Sequence, residues 1–151
     1  MKVRDVMTTD VAVATVGTPV SEIARLMNER DVSGIPVVND GRHVIGLVTD
    51  LDLIVRNTRL DPPVFFQLLD ARIPLETPAH YRKRLQHMLG TEARDVMSED
   101  VVTIGPDDDG ETLAALFLKS RANPIPVVDD GRLVGIVSRA DLLRLMARQI
   151  P

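Results

Sequence analysis

Two short motifs in this chain place a hydroxyl and a carboxylate at the same spacing. Thr49 is followed three residues later by Asp52, and Ser138 is followed in the same way by Asp141. Each motif comes directly after an apolar, β-branched run and before a helical pattern, so we expect it at a strand-to-helix junction. There the two side chains fit a capping box, in which both bond free amides at the start of a helix.

The same junction also has the chemistry to hold a ligand. Its free backbone amides and the positive end of the helix dipole suit a phosphate. The carboxylate in the first turn can accept two hydrogen bonds from a vicinal diol. Because a phosphate and a diol together describe a ribonucleotide, the motifs predict either two helix caps or two nucleotide sites.

Both motifs belong to an internal repeat that covers most of the chain. The run RDVMTTDV at residues 4–11 returns as RDVMSEDV at 94–101, and IPVVNDGR at 35–42 returns as IPVVDDGR at 125–132. From the next motif onwards the spacing is one residue shorter, which indicates that one residue is lost inside the second hairpin. A unit this short buries too little surface to be stable alone. We therefore expect two units that share one core, with paired sites near the axis between them.

Each repeat has the pattern of an α+β unit in the order strand, helix, strand, strand, helix. Residues 11–14 are a short apolar run, and Thr18 and Pro19 then open a helix as N-cap and first helical residue. Two β-branched runs follow and are joined by residues 39–42, in which Asp-Gly tolerates the positive φ of a tight hairpin. The last helix begins near Thr49.

Three consecutive aspartates, Asp107, Asp108 and Asp109, precede a helix predicted from about Glu111 to Ser120. Carboxylates at a helix start interact favourably with the helix dipole, and we interpret the three in this way. A magnesium site is the alternative, since this ion prefers oxygen ligands. The first interpretation predicts no metal site.

The segment between the repeats is too long to be a simple turn. It divides the chain into a first unit at residues 1–56, a linker at 57–92 and a second unit at 93–151. Two apolar patterns predict two short helices in the linker. The first pattern consists of Val64, Phe65, Leu68, Leu69 and Ala71, and the second of Tyr81, Leu85, Met88 and Leu89.

Composition excludes several classes of protein. The 151 residues are 44% apolar and 26% charged, which is typical of a globular protein. No apolar run reaches about 18 residues and Met1 leads directly into the first repeat, so we expect no membrane span, no signal peptide and a cytoplasmic location. The net charge of −4 and the scarcity of aromatic residues argue against nucleic-acid binding. Since there is no cysteine, disulfides, thiolate metal sites and cysteine nucleophiles are excluded.

The repeated sequence resembles the cystathionine β-synthase (CBS) domain. The resemblance rests on Asp-Val-Met, then Gly-Ile-Pro-Val-Val-x-Asp-Gly, then Gly-Leu-Val-Thr-x-x-Asp-Leu, and it covers both repeats but not residues 57–92. It implies an α+β fold in which two β-α-β-β-α units pack through their sheets as a pseudo-twofold pair. Such pairs commonly form homodimers and bind adenosine-containing ligands in clefts between the units.

The resemblance also implies which residues bind the ligand. Asp52 and Asp141 would take the ribose hydroxyls, while Thr49 and Ser138 would lie at the phosphate. The adenine would be lined by Ser33, Gly34, Ile35 and Pro36 in the first repeat, by Asn123, Pro124, Ile125 and Pro126 in the second, and by Met7, Ala12, Met97 and Val102 beside the first strands.

The two copies differ at the second motif position, which is Asp50 in the first repeat and Arg139 in the second. If these side chains face the clefts, Asp50 repels a phosphate and Arg139 attracts one. The second site should then favour phosphorylated ligands. The alternative is that both side chains point to solvent. The adenine wall differs as well, so the two copies need not bind the same ligand.

Three functions are compatible with the sequence. The first is a stand-alone regulatory or sensor module that binds AMP, ADP, ATP or S-adenosylmethionine and acts on an unidentified protein partner, with no cofactor and no catalytic residue of its own. The second is a scaffold that docks a partner through the linker helices. The third, an enzyme, has little support, because none of the three histidines, His43, His80 and His87, neighbours a serine or a carboxylate in a catalytic array.

We also expect a homodimer, because a small module must cover several apolar helix faces. These faces consist of Ile23, Leu26 and Met27, of Leu113, Leu116 and Phe117, and of Leu142, Leu145 and Met146.

Overall fold

The computed structural model describes residues 1–58, 65–68, 71–74, 79 and 91–150. It has the expected mixture of helices and small antiparallel sheets. The first repeat contains a 3₁₀ helix (Val3–Asp5), α1 (Val20–Arg30), β1 (Gly34–Val38), β2 (Val44–Thr49) and α2 (Asp50–Thr58). The second repeat contains α3 (Ala93–Val96), α4 (Gly110–Ser120), β5 (Ile125–Asp129), β6 (Arg132–Val137) and α5 (Arg139–Gln149).

The linker contains two short strands, β3 (Phe65–Leu68) and β4 (Ala71–Pro74), which pair antiparallel. The first of the two predicted linker helices is therefore wrong. The aromatic and apolar residues of this stretch suit a short extended pair as well as a helix, and periodicity alone does not separate the two in so few residues. The second predicted linker helix, with His80 and His87, lies outside the described residues.

The first strand of each repeat is shorter than the sequence suggested. In the first repeat only Ala14 bridges the sheet, in parallel with Val37, and in the second only Ile104 bridges Val127. The first helix also begins later than predicted, because Pro19 is the N-cap and Val20 the first helical residue. The Thr18 hydroxyl instead accepts a hydrogen bond from the amide of Thr15 at 2.9 Å.

The two hairpins differ by one residue, as the repeat spacing predicted. The loop between β1 and β2 is the longer one, and its left-handed residue is Arg42 with φ 64°, not the predicted Asp-Gly pair. The shorter turn between β5 and β6 places Asp130 and Gly131 at positive φ, of 52° and 78°. This is the two-residue geometry for which Asp-Gly is suited.

The predicted single core is wrong, because the chain forms two separate cores. One core is built on residues of the first repeat (Ala14, Ile23, Met27, Ile35, Val37 and Val48) together with Ala93. The other is built on residues of the second repeat (Ile104, Leu113, Phe117, Ile125, Val127 and Val137) together with Val3. Each core is thus completed by the first residues of the other repeat.

Backbone hydrogen bonds hold these exchanged segments in place. Val3 donates its amide to the carbonyl of Asp108 at 2.9 Å, and Ala93 donates to the carbonyl of Thr18 at the same distance. Farther along, Thr8 exchanges two hydrogen bonds with Ile136 on β6, both at 2.9 Å. The exchange joins the repeats through hydrogen bonds and packing, and it carries the residues after Met7 to the edge of the second repeat.

The three aspartates before α4 have structural partners. Asp109 is the N-cap of α4 and accepts a hydrogen bond from the Thr112 amide at 2.8 Å, which lowers the pKa of its carboxyl. Asp108 accepts one from the amide of Gly105. The third, Asp107, accepts a hydrogen bond from the Arg4 guanidinium at 2.7 Å, and this contact lowers the pKa of that carboxyl. The helix-start interpretation is confirmed for Asp109, while Asp107 holds the exchanged N-terminal segment.

Within the residues that the structure describes, no helix is both long and apolar enough to cross a membrane.

Candidate ligand-binding cleft

A cavity of about 730 Å³ opens between the two repeats. The first repeat lines it with Thr8, Asp10, Val11, Ala12, Arg30, Asp31, Val32, Ser33, Gly34 and Asp50. The second repeat lines it with Asn123, Pro124, Ile136, Ser138, Ala140, Asp141 and Arg144. A cavity of this size lies within the range of small-molecule sites.

Both hydroxyl–carboxylate motifs form the capping boxes that the sequence predicted. The amide of Ser138 donates to Asp141 Oδ2 at 2.8 Å, and the amide of Asp141 donates back to Ser138 Oγ at 3.3 Å. The amide of Thr49 donates to Asp52 Oδ2 at 2.8 Å, and the amide of Asp52 donates to Thr49 Oγ1 at 3.3 Å. The boxes fix the rotamers of both carboxylates, which does not by itself exclude ligand binding through the remaining lone pairs.

Only the second motif lines the described cleft. Ser138 and Asp141 lie on its wall, and so does Ala140, whose amide belongs to the first turn of α5. Amides in the first turn of a helix have no intrahelical acceptor, so this wall offers a donor to an anionic group. Thr49 and Asp52 are not among the lining residues of this cavity.

The predicted adenine-lining residues divide into three groups. Ala12, Ser33, Gly34, Asn123 and Pro124 line the cleft as predicted, and they come from both repeats. Ile35, Pro36, Ile125 and Pro126 do not, because their side chains are fully buried. Met7, Met97 and Val102 are half-buried and lie outside the lining.

The two methionines have a packing role instead. A Cβ placed on Gly135 would lie 2.6 Å from Met7 Sδ, and one on Gly46 would lie 2.5 Å from Met97 Sδ. Each methionine thus covers the glycine that precedes the hydroxyl–carboxylate motif of the opposite repeat. The family resemblance implied that they line the adenine, and the sequence did not show that their segments are exchanged.

The second motif position holds Asp50 in one repeat and Arg139 in the other, and only Asp50 lies at the cleft. Asp50 lines the cleft together with the second motif, whereas Arg139 does not line it. The Arg139 amide donates to Asn123 Oδ1 at 2.9 Å, and the equivalent Asp50 amide donates to the Ser33 carbonyl at 2.8 Å. The prediction that Arg139 attracts a phosphate at Ser138 and Asp141 therefore has no support from this cleft.

Arginines that the sequence reasoning missed supply the positive charge of the cleft. Arg30, at the end of α1, pairs with Asp10 at 3.2 Å, and Arg144 pairs with Asp141 at 2.6 Å. Arg144 follows Asp141 at a spacing of three, which places both on one face of a helix, and this signal was available in the sequence. No sequence pattern indicated that Arg30 lies at the cleft, because its position there depends on how α1 packs.

Gly34 and Pro124 bring the two repeats into close contact at the cleft. A Cβ on Gly34 would lie 2.5 Å from Pro124 Cδ and 2.8 Å from Pro124 Cγ. These are equivalent positions in the two copies, so the cleft lies where the repeats meet around their shared axis. Glycine is required at one of them because the proline ring of the other fills the available space.

Comparison with known proteins agrees with this arrangement. The family model described as "CBS domain" matches the chain twice, at residues 3–56 and 93–148. The chain belongs to the CBS domain family. Both matches include the exchanged segment at their start and the capping-box motif near their end.

Two curated relatives and one solved structure illustrate the family. The CBS domain-containing protein YhcV of Bacillus subtilis is 31% identical over 140 residues, covering 93% of this chain and 81% of YhcV. An uncharacterized protein of Methanocaldococcus jannaschii is 29% identical over 154 residues, covering 97% and 91%. The crystal structure of CBSX2 in complex with AMP, a protein of Arabidopsis thaliana, superposes with a TM-score of 0.73 at 26% identity, covering 97% of this chain and 96% of that one.

Proposed function

We propose that this protein is a regulatory CBS module that binds an adenosine-containing ligand in the cleft between its repeats. The observation that carries the proposal is the meeting of Ser138 and Asp141 of the second repeat with Ser33 and Gly34 of the first in one cavity. A ligand that fills this cavity contacts both repeats. It therefore favours the arrangement of the repeats that closes on it, and this differential affinity is what a regulatory module requires.

The geometry of the second motif suits a nucleoside with a phosphate. Ser138 and the free amide of Ala140 lie where an anionic group would be held at the start of α5, and Asp141 supplies a carboxylate for the ribose hydroxyls. Half-buried Ala12 and Val11 form an apolar wall for a base. The complex of the related CBSX2 with AMP supports an adenine nucleotide as the ligand.

The charges of the cleft favour a ligand with few phosphates. Four carboxylates line it, those of Asp10, Asp31, Asp50 and Asp141, against the two arginines Arg30 and Arg144. Each added phosphate brings a further negative charge into this surplus of carboxylates. We therefore propose AMP, or the cationic S-adenosylmethionine, as better ligands than ADP or ATP.

We expect AMP at 100 times its Kd to raise the free energy of unfolding by roughly 2.7 kcal/mol, because a ligand that binds only the folded state stabilises it by mass action. Thermal-shift measurements with AMP, S-adenosylmethionine, ADP and ATP, followed by calorimetry, test this. Guanosine monophosphate is the matched control, since it keeps the ribose and phosphate and changes the base. If no adenosine compound shifts the transition, the proposal is wrong. Chromatography of the same ATP sample should show it intact, because we propose no catalytic role for the protein.

A scaffold is the second candidate function, and exposed apolar side chains favour it. The helix that ends each repeat carries them: Leu51 and Ile54 on α2, and Leu143 and Met146 on α5, are 52–66% exposed. The linker helices to which the scaffold hypothesis assigned docking lie outside the described residues or are replaced by β3 and β4. On this hypothesis a partner protein, in place of a second copy of the chain, would contact α2 and α5.

We propose that a second copy of the chain covers these helices. Two of the three apolar faces predicted for the dimer belong to the cores instead, because Ile23, Met27, Leu113 and Phe117 are buried there. Met146 of the third predicted face is 53% exposed. Leu143 is 64% exposed, and burying such side chains is the main driving force of association.

We expect a dimer by light scattering at micromolar concentration, and a monomer for Leu143→Glu, which puts a charge into the contact. Leu118→Glu is the matched control, because Leu118 is 83% exposed on α4 and outside the proposed contact. A monomeric wild-type protein, or equal dissociation of both variants, contradicts the proposal.

A further inference from the structure

The carboxylate of Asp141 already accepts three hydrogen bonds within the protein, out of about four lone-pair positions. Its Oδ2 accepts hydrogen bonds from the amide of Ser138 at 2.8 Å and from the hydroxyl of Ser138 at 3.0 Å. Its Oδ1 accepts a hydrogen bond from Arg144 Nη2 at 2.6 Å. The Asp141 side chain is only 12% exposed, and both Asp141 and Arg144 line the cleft.

The corresponding carboxylate of the first repeat lacks this contact. Asp52 forms the same capping box through Oδ2, and no side chain of the described residues bonds its Oδ1. The residue equivalent to Arg144 in the first repeat is Val55, which has no charge. Within the described residues, the contact between Asp141 and Arg144 therefore has no counterpart at the first motif, where the helix cap forms without it.

A ribose diol and Arg144 compete for the same oxygen. Two hydroxyls need two acceptor positions on the carboxylate, and those of Oδ2 are already taken by the cap. Binding of a nucleoside to Asp141 therefore requires the guanidinium to leave Oδ1. Arg144 is free to do so, since its side chain is 70% exposed and itself lines the cleft.

We propose that Arg144 is a specificity-determining residue, which moves from Asp141 to the phosphate of a bound nucleotide. This inference rests on the proposed function and adds the ligand class that the second motif selects. The phosphate of a bound nucleotide gives the Arg144 guanidinium a new partner in place of the Asp141 carboxylate. A guanidinium and a phosphate can form a bidentate pair of hydrogen bonds. An unphosphorylated nucleoside breaks the contact between Arg144 and Asp141 and has no phosphate to which the guanidinium can bond.

The proposal predicts opposite effects of one substitution on two ligands. Arg144→Gln removes the competitor of the diol, so adenosine should bind up to about fivefold more tightly, the value of an exposed ion pair. The same substitution removes the phosphate contact, so AMP should bind roughly tenfold more weakly. The ratio of the AMP and adenosine affinities should therefore fall by roughly tenfold or more.

The matched control is Arg148→Gln, one turn farther along α5. Arg148 is exposed, carries the same charge and does not line the cleft, and it shares only a smaller neighbouring cavity with Asp141 and Arg144. Calorimetry of wild type, Arg144→Gln and Arg148→Gln with AMP and with adenosine measures the ratio for each, and circular dichroism confirms that all three are folded. We expect the ratio to change for Arg144→Gln and to stay within about twofold of wild type for Arg148→Gln.

Two other results overturn the proposal in distinguishable ways. If wild type binds AMP but Arg144→Gln lowers the affinity for AMP and adenosine equally, or if Arg148→Gln has the same effect, Arg144 does not contact the phosphate and only this inference fails. If wild type binds neither compound, the proposed function fails as well.

Discussion

Replacing Asp141 with alanine is expected to lower the affinity of the cleft for AMP by roughly ten- to a hundredfold. Hydrogen bonds to a charged group contribute about 1.5–3 kcal/mol, and the substitution removes the carboxylate that we assign to the ribose diol. Loss of the diol contact should affect AMP and adenosine alike, in contrast to the substitution of Arg144. Calorimetric titration of the purified variant with each compound measures the effect.

The matched control is Asp52→Ala, because Asp52 caps α2 through the same hydrogen bonds but does not line the described cleft. Both variants lose a capping box and should lose a similar amount of stability, on the order of 1 kcal/mol. Only Asp141→Ala should weaken the binding of AMP in the described cleft. If Asp141→Ala binds AMP as wild type does, the second motif is a helix cap and no more.

Replacing Gly34 with alanine is expected to destabilise the protein by about 1–3 kcal/mol, the usual cost of overpacking, and to weaken ligand binding at the same time. The added Cβ would lie 2.5 Å from Pro124 Cδ, and both residues are buried. The proline ring cannot rotate away, so the two repeats would have to move apart where they line the cleft. Urea denaturation gives the free energy of unfolding, and titration with AMP gives the affinity.

Gly17→Ala is the control for the intrinsic effect of this substitution. A Cβ on Gly17 would meet only Arg94 Nη2, at an ordinary contact distance of 3.7 Å. We expect this variant to be as stable as wild type or more stable, because alanine restricts the unfolded chain. If both glycine variants have the same stability, the close contact between Gly34 and Pro124 does not hold the repeats at their observed separation.

Sequence patterns predicted the local structure well where one repeat could be checked against the other. The capping boxes at Thr49 and Ser138, a carboxylate at the start of α4 and the shorter second hairpin are confirmed, whereas the N-cap predicted at Thr18 is wrong. These features depend on hydrogen bonds between residues a few positions apart, so the residue types and their spacing are sufficient to specify them. The family resemblance rests on the same local motifs, and the two matches of the family model confirm it.

The start of the linker was predicted wrongly. It has no second copy with which its pattern can be compared, and the helix predicted around Phe65 is a pair of strands, β3 and β4. Short apolar stretches do not distinguish a helix from a hairpin by periodicity, because both place apolar residues on one side over so few positions.

The sequence by itself determined the two-unit architecture, the elements of each unit and the two hydroxyl–carboxylate motifs. Only the tertiary structure decided which residues share a site. It exchanges the first segments of the repeats, so that Val3 completes the second core and Ala93 the first. It also brings Asp50 to the second motif and sets Arg144 against Asp141 in the cleft. The physical reason is that backbone capping acts between neighbours in sequence, whereas core burial is non-directional and selects partners by shape and apolar area from anywhere in the chain.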